Sequence, residues 1–146
     1  MKVAGMLLTG GASRRLGVDK SGLDVGGGPL AERTARLLQS VADPCLEVGR
    51  GCSTLPLVAD PEPGQGPLAA VVSGWAELKR RSWVGPTLVL ATDLPFLSDG
   101  LLRWLASHPS RRSVIPTDGK QPQTLCARYR AADLDTAVEL YQTGAR

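Results

Sequence analysis

The chain has 146 residues, 42% of them apolar, enough material for one domain with a sizeable core. Its 17 basic residues against 14 acidic ones leave a net charge of +3, and an aromatic content of 4% supplies no row of rings on which bases could stack, which argues against nucleic acid as the main partner. Three cysteines (Cys45, Cys52 and Cys126) with no CxxC pair, and a single histidine (His108), argue against a disulfide framework, a zinc site or a His-based triad.

Residues 2–9 (KVAGMLLT) form a short apolar run ending in glycines and predict a buried strand, too short for a signal peptide or a membrane span. The reading that follows is of a cytoplasmic protein without membrane contact. A helical pattern starts after Pro29, with Leu30, Arg33, Leu37 and Leu38 near 3.6-residue spacing. Residues 44–49 (PCLEVG) and 55–60 (LPLVAD) predict two strands, the second ending on Asp60. After the loop PEPGQG, residues 67–81 predict a helix whose start, with Gly66 before it, allows close approach of a ligand. Residues 87–93 (TLVLATD) are β-rich and again end on an aspartate. Ser98 has the character of an N-cap for a short helix, with His108 at its end. Residues 112–117 and 124–129 predict strands and 131–142 a closing helix. Trp75, Trp83 and Trp104, on or beside helices, are expected to pack, and Cys126 to be buried. Nothing divides residues 1–146 into more than one domain.

Alternating strands and helices predict an α/β fold in which helices cover both faces of a mostly parallel sheet. Ligands of such sheets bind beyond the carboxyl ends of the strands. The first strand delivers the loop 7–23 (LLTGGASRRLGVDKSGL) to that edge, and two others deliver Asp60 and Asp93. The loop holds four glycines, two arginines and a lysine. Glycines let backbone N–H groups approach a phosphate, and Arg14, Arg15 and Lys20 add charge, so the loop suits a polyphosphate. It is neither a P-loop, since Gly17 is followed by Val18 and Asp19 before Lys20, nor a GxGxxG dinucleotide loop. Asp19 suits a loop organiser next to Lys20. Asp93 can hold Mg²⁺ beside a phosphate or cap the next turn; Asp60, which precedes a proline, can form a turn.

LTGGASRRLGVDKSGL resembles the LAGGxSxRMGxDKxxL signature of molybdenum cofactor guanylyltransferases. The resemblance continues through DPEPGQGPLAAVVSGW, LATDLPFLS and QPQTLCARYR and so spans nearly the whole chain. It implies a Rossmann-like three-layer nucleotidyltransferase fold. The implied activity is transfer of GMP from GTP to molybdopterin, with Mg²⁺ as cofactor. Leu8, Thr9, Gly10 and Gly11 would line the nucleotide, Arg15 and Lys20 would contact its phosphates, Asp93 would hold the metal, and Asp60 would accept hydrogen bonds from the guanine. Arg15, Lys20 and Asp93 would then be the catalytic set. One position departs from the pattern: where many members carry an asparagine before an arginine, this chain has Gly49 before Arg50. The polar loop 118–123 (DGKQPQ) either faces the pterin or is plain surface.

Two other readings fit the same residues: a sibling enzyme using CTP or another acceptor, and a nucleotide-binding protein without full activity. The second rests on the end of the sequence, YQTGAR, which predicts a shortened C-terminal part of the fold. Leu134, Ala137, Val138 and Tyr141 on the last helix are then expected to lack partners and to favour a homodimer.

Overall fold

The computed structural model describes residues 2–10, 30–64, 66–92, 94 and 96–146. In chain order its elements are β1 (Ala4–Leu8), α1 (Leu30–Gln39), β2 (Cys45–Val48), β3 (Leu57–Val58), α2 (Pro67–Arg80), β4 (Thr87–Ala91), α3 (Asp99–Ser107), β5 (Thr117–Asp118), β6 (Gln121–Pro122), β7 (Cys126–Tyr129) and α4 (Ala131–Gln142).

Every residue of β1 is buried, as expected of a strand covered on both faces. It lies between β2 and β4, parallel to both, with Leu8 opposite Val48 on one side and Ala91 on the other. β3 extends the sheet beyond β2 in the same direction, and β7 pairs with β4 in the opposite one. The resulting order is β3-β2-β1-β4-β7. Alternate residues of β1 enter two cores. Val3 and Leu7 join Leu38 of α1 and Leu102 and Leu105 of α3 on one face. Ala4, Met6 and Leu8 join Trp75 and Leu78 of α2 and Leu134 of α4 on the other. Each fully buried leucine contributes about 1.5–3 kcal/mol. This is the three-layer α/β arrangement that the alternation of elements predicts.

Local chemistry explains the boundaries. α2 begins at Pro67, whose missing N–H costs nothing in a first turn, and α3 begins where the Ser98 hydroxyl accepts from the Leu101 N–H at 3.1 Å. A Cβ on Gly74 would sit 2.7 Å from Met6 Cε, so a glycine in mid-helix lets α2 lie directly on β1.

Three expectations are corrected. The strand predicted over 55–60 is only Leu57–Val58, because Pro56 and Pro61 have no N–H to donate. Residues 112–117 form an isolated bridge, Val114 to Arg128, and then turn at Thr117 into the β5–β6 hairpin. The apolar face of α4 does not lack partners: Leu134 is buried in the α2 core, Val138 packs against the same cluster, and Ala137 and Tyr141 are half-buried. Trp75 is buried as expected, whereas Trp104 is half-exposed and lies edge-on to His108.

Candidate active site

The parallel strands end together. β1 runs into Thr9 and Gly10, β2 into Gly49 and Arg50, β3 into Asp60, and β4 into Thr92. The amide of Thr9 donates to Val48 O at 3.0 Å and that of Gly49 to Val58 O at 3.1 Å, so the three neighbouring exits are held in step. β7 starts at the same edge, where its neighbour Leu125 accepts from the Ala91 N–H at 2.9 Å. The exposed hairpin of β5 and β6, which contains residues 118–122 of the DGKQPQ loop, leads into it.

Gly10 is exposed, and a Cβ there would lie 3.6 Å from Asp60 Oδ2. Asp60 Oδ1 accepts from the Glu62 N–H at 2.9 Å. The aspartate therefore does what a turn former does with one oxygen and turns the other towards the glycine loop. The segment after α4 reaches this turn through the Arg146–Glu62 ion pair at 3.2 Å, with the guanidinium 4.6 Å over the Tyr141 ring. Of the residues singled out in the sequence, Leu8, Thr9, Gly10 and Asp60 are brought together here. Gly11, Arg15, Lys20 and Asp93 lie outside the described residues, as do Arg14 and Asp19.

One participant at this edge is absent from the sequence candidates. Glu47, in the middle of β2, is completely buried. Its Oε2 accepts from the Thr9 hydroxyl at 2.6 Å and from the amides of Gly51 and Cys52 at 2.6 and 2.8 Å. Its Oε1 accepts from the amide and hydroxyl of Ser53 at 2.8 and 2.6 Å. Burial alone would raise this carboxyl, but the bonds from Ser53, Thr9 and the loop amides outweigh it and hold the group below its ordinary 4.5. The signal for it in the sequence is a lone acidic residue inside an apolar strand.

Gly49 has a steric reason to be glycine. Its φ is +140°, and a Cβ would lie 2.4 Å from Thr9 Oγ1 and 2.9 Å from Gly10 N. The position that departs from the family pattern is thus filled from the opposite side, by the Thr9 hydroxyl.

The donor set for a metal is also limited. Among the described residues no group of three His, Cys, Asp or Glu could hold an ion. Glu47 is ruled out as a ligand because five hydrogen bonds occupy its two oxygens. Mg²⁺, however, needs only one or two carboxylates when phosphate oxygens complete its shell. The carboxylate that the resemblance assigns to the metal, Asp93, lies outside the described residues.

The MobA-like NTP transferase domain model matches residues 5–146. The chain belongs to this family. A protein of Chloroflexus aggregans named probable molybdenum cofactor guanylyltransferase is 36% identical over all of the chain and 74% of its own length. One of the same name from Nostoc sp. is 33% identical over 97% of the chain and 72% of its own length. The crystal structure of molybdopterin-guanine dinucleotide biosynthesis protein A from Archaeoglobus fulgidus superposes with a TM-score of 0.74, covering all of the chain and 75% of that protein at 23% identity, which shows a shared fold. The MobA-like domain thus accounts for the sheet order and for strand ends that gather at one edge. Among the described residues no helix is long and apolar enough to cross a membrane.

Proposed function

We propose that this chain transfers GMP from GTP to molybdopterin, releasing pyrophosphate. The observation that carries the reading is the meeting of Gly10 and Asp60 Oδ2 at the carboxyl edge, at the start of a loop rich in glycine and cations, on a chain of this family. A terminal phosphate oxygen of molybdopterin attacks the α-phosphorus of GTP. The bond from that phosphorus to the bridging oxygen breaks, and pyrophosphate takes the electron pair. No protein nucleophile is required, so the chain contributes alignment and charge neutralisation.

In this reading the main chain of Leu8, Thr9, Gly10 and Gly11 lines the nucleotide, and Asp60 accepts from the guanine N1 and N2 hydrogens. Arg15 and Lys20 neutralise charge on the departing pyrophosphate. Asp93 would hold Mg²⁺, which when bound offsets the negative charge of the triphosphate. The hairpin of β5 and β6 is the surface offered to the pterin. The three cysteines are free thiols, which suits a cytoplasmic setting.

Calorimetric titration with GTP, CTP and ATP, each with and without Mg²⁺, tests the reading. GTP is expected to bind most tightly, and only with Mg²⁺ at full affinity. Equal or undetectable affinity for all three nucleotides would sink the guanine assignment.

A further inference from the structure

Thr9 and Glu47 form a unit whose geometry exceeds what a strand needs. A fully buried carboxylate is costly unless its lone pairs are filled. Here none of the five donors is a cation, and they come from Thr9, Gly51, Cys52 and Ser53, so what the charge organises is the end of β1 and the loop after β2. The Thr9 hydroxyl works in both directions. It donates to Glu47 and accepts the Arg50 N–H at 2.9 Å, a pattern that an ionised acceptor at position 47 enforces. Gly49, with no Cβ, leaves that hydroxyl the room to sit there. The next residue is Gly10, flanked on its other side by Asp60.

We propose that Thr9 and Glu47 are a positioning pair that sets the orientation of the Thr9–Gly10 main chain, and of the Arg50 loop beside it, for the guanine nucleotide. The inference rests on the function proposed above. Neither side chain touches the reacting atoms. Both act through the backbone that the nucleotide meets, so their loss is felt in nucleotide affinity and KM before it is felt in kcat.

The test uses the full chain carrying Thr9→Val, Thr9→Ser or Glu47→Gln, titrated with GTP and Mg²⁺ and assayed for turnover with molybdopterin. Valine keeps the shape and removes the hydroxyl; serine returns it. Glutamine turns an NH₂ group towards donors, and if that variant does not fold, the two Thr9 variants carry the test. Thr9→Val is expected to weaken GTP binding about tenfold, with a matching rise in KM and a smaller change in kcat, and Thr9→Ser to restore most of the loss. Folded variants that bind GTP as the unaltered chain does would overturn the inference while leaving the function intact. An unaltered chain that fails to bind GTP would overturn the function and this inference with it.

Discussion

Arg128 Nη1 donates to the carbonyl oxygen of Leu105 at 2.9 Å, and a guanidinium from the sheet's last strand thereby grips the final turn of α3. The same Nη1 reaches His108 O at 2.7 Å and Nη2 reaches Ser110 O at 2.5 Å. Arg128 is 1% exposed, and desolvation lowers its pKa. The carbonyl end of a helix favours such a cation. Arg128→Ala leaves three carbonyls short of a donor and is expected to cost about 3 kcal/mol in urea unfolding. Arg128→Lys keeps the charge without the fork and is expected to recover only part of this. A loss under about 1 kcal/mol for the alanine variant would mean that water replaces the guanidinium.

Gly49 and Gly119 separate two costs that usually come together. Both have positive φ, but a Cβ at Gly119 would meet nothing within 4 Å, whereas one at Gly49 would collide with Thr9. Gly119→Ala is expected to cost about 1 kcal/mol, and Gly49→Ala about 2–4 kcal/mol with a loss of nucleotide affinity. Thermal unfolding of both variants checks this. Equal shifts would show that the Thr9 contact is unimportant.

Burial pushes the Cys45 thiol up to about 12 and the Cys126 thiol up to about 11. Both are expected to stay unreactive towards a thiol reagent at pH 8 until the chain unfolds. At most one of the three cysteines should therefore label in the native state. Rapid labelling of two or more would contradict the packing around β2 and β7.

The carboxyl of Glu47 titrates below its ordinary 4.5 in the folded chain. The stability it contributes is therefore fully present above pH 4.5 and is lost as pH falls through the lower, folded value. Acid unfolding of the unaltered chain should steepen in that range, and Glu47→Gln should flatten the profile there while lowering stability at neutral pH. Parallel profiles for the two chains would assign the acid sensitivity elsewhere.

Lys20, in the glycine-rich loop, is expected to pair with the triphosphate. A charge-assisted contact contributes roughly 1.5–3 kcal/mol, so Lys20→Ala should weaken GTP binding about 10- to 150-fold with little effect on folding. An unchanged affinity in a folded variant would remove Lys20 from the site.

The sequence carries the layer order because hydrophobic period and glycine placement are local signals. Ala4–Leu8 is apolar at every position and so declares a strand buried on both faces, and Ser98 announces α3. Asp60 is legible as the last residue of an apolar run. Glu47 is not, because its five donors come from the distant Thr9 and from a loop that wraps back on β2, and a single charge in a strand reads equally well as an exposed edge. Arg128 is hidden for the same reason: its partners are carbonyl groups, which every sequence has. The apolar face of α4 misleads for the opposite reason. Its cover is α2, whose Trp75 donates to Asp135 at 2.8 Å across about sixty positions of sequence.

The central position of β1 has a consequence for the order in which the molecule is built. β1 precedes both of its neighbours along the chain: β2, from Cys45, and β4, ending at Ala91. A nascent chain that has released nothing beyond β2 has one edge of β1 open, with the backbone groups of Ala4–Leu8 that β4 later pairs left without their ladder. Closing that edge needs a long loop to be crossed, a slow and entropically costly step. The nucleotide edge is therefore begun before its flanking strands exist and completed late. During translation GTP can stabilise only chains in which β4 has already paired with β1, so the ligand favours sheets whose central strands are assembled and is not a nucleus for starting them.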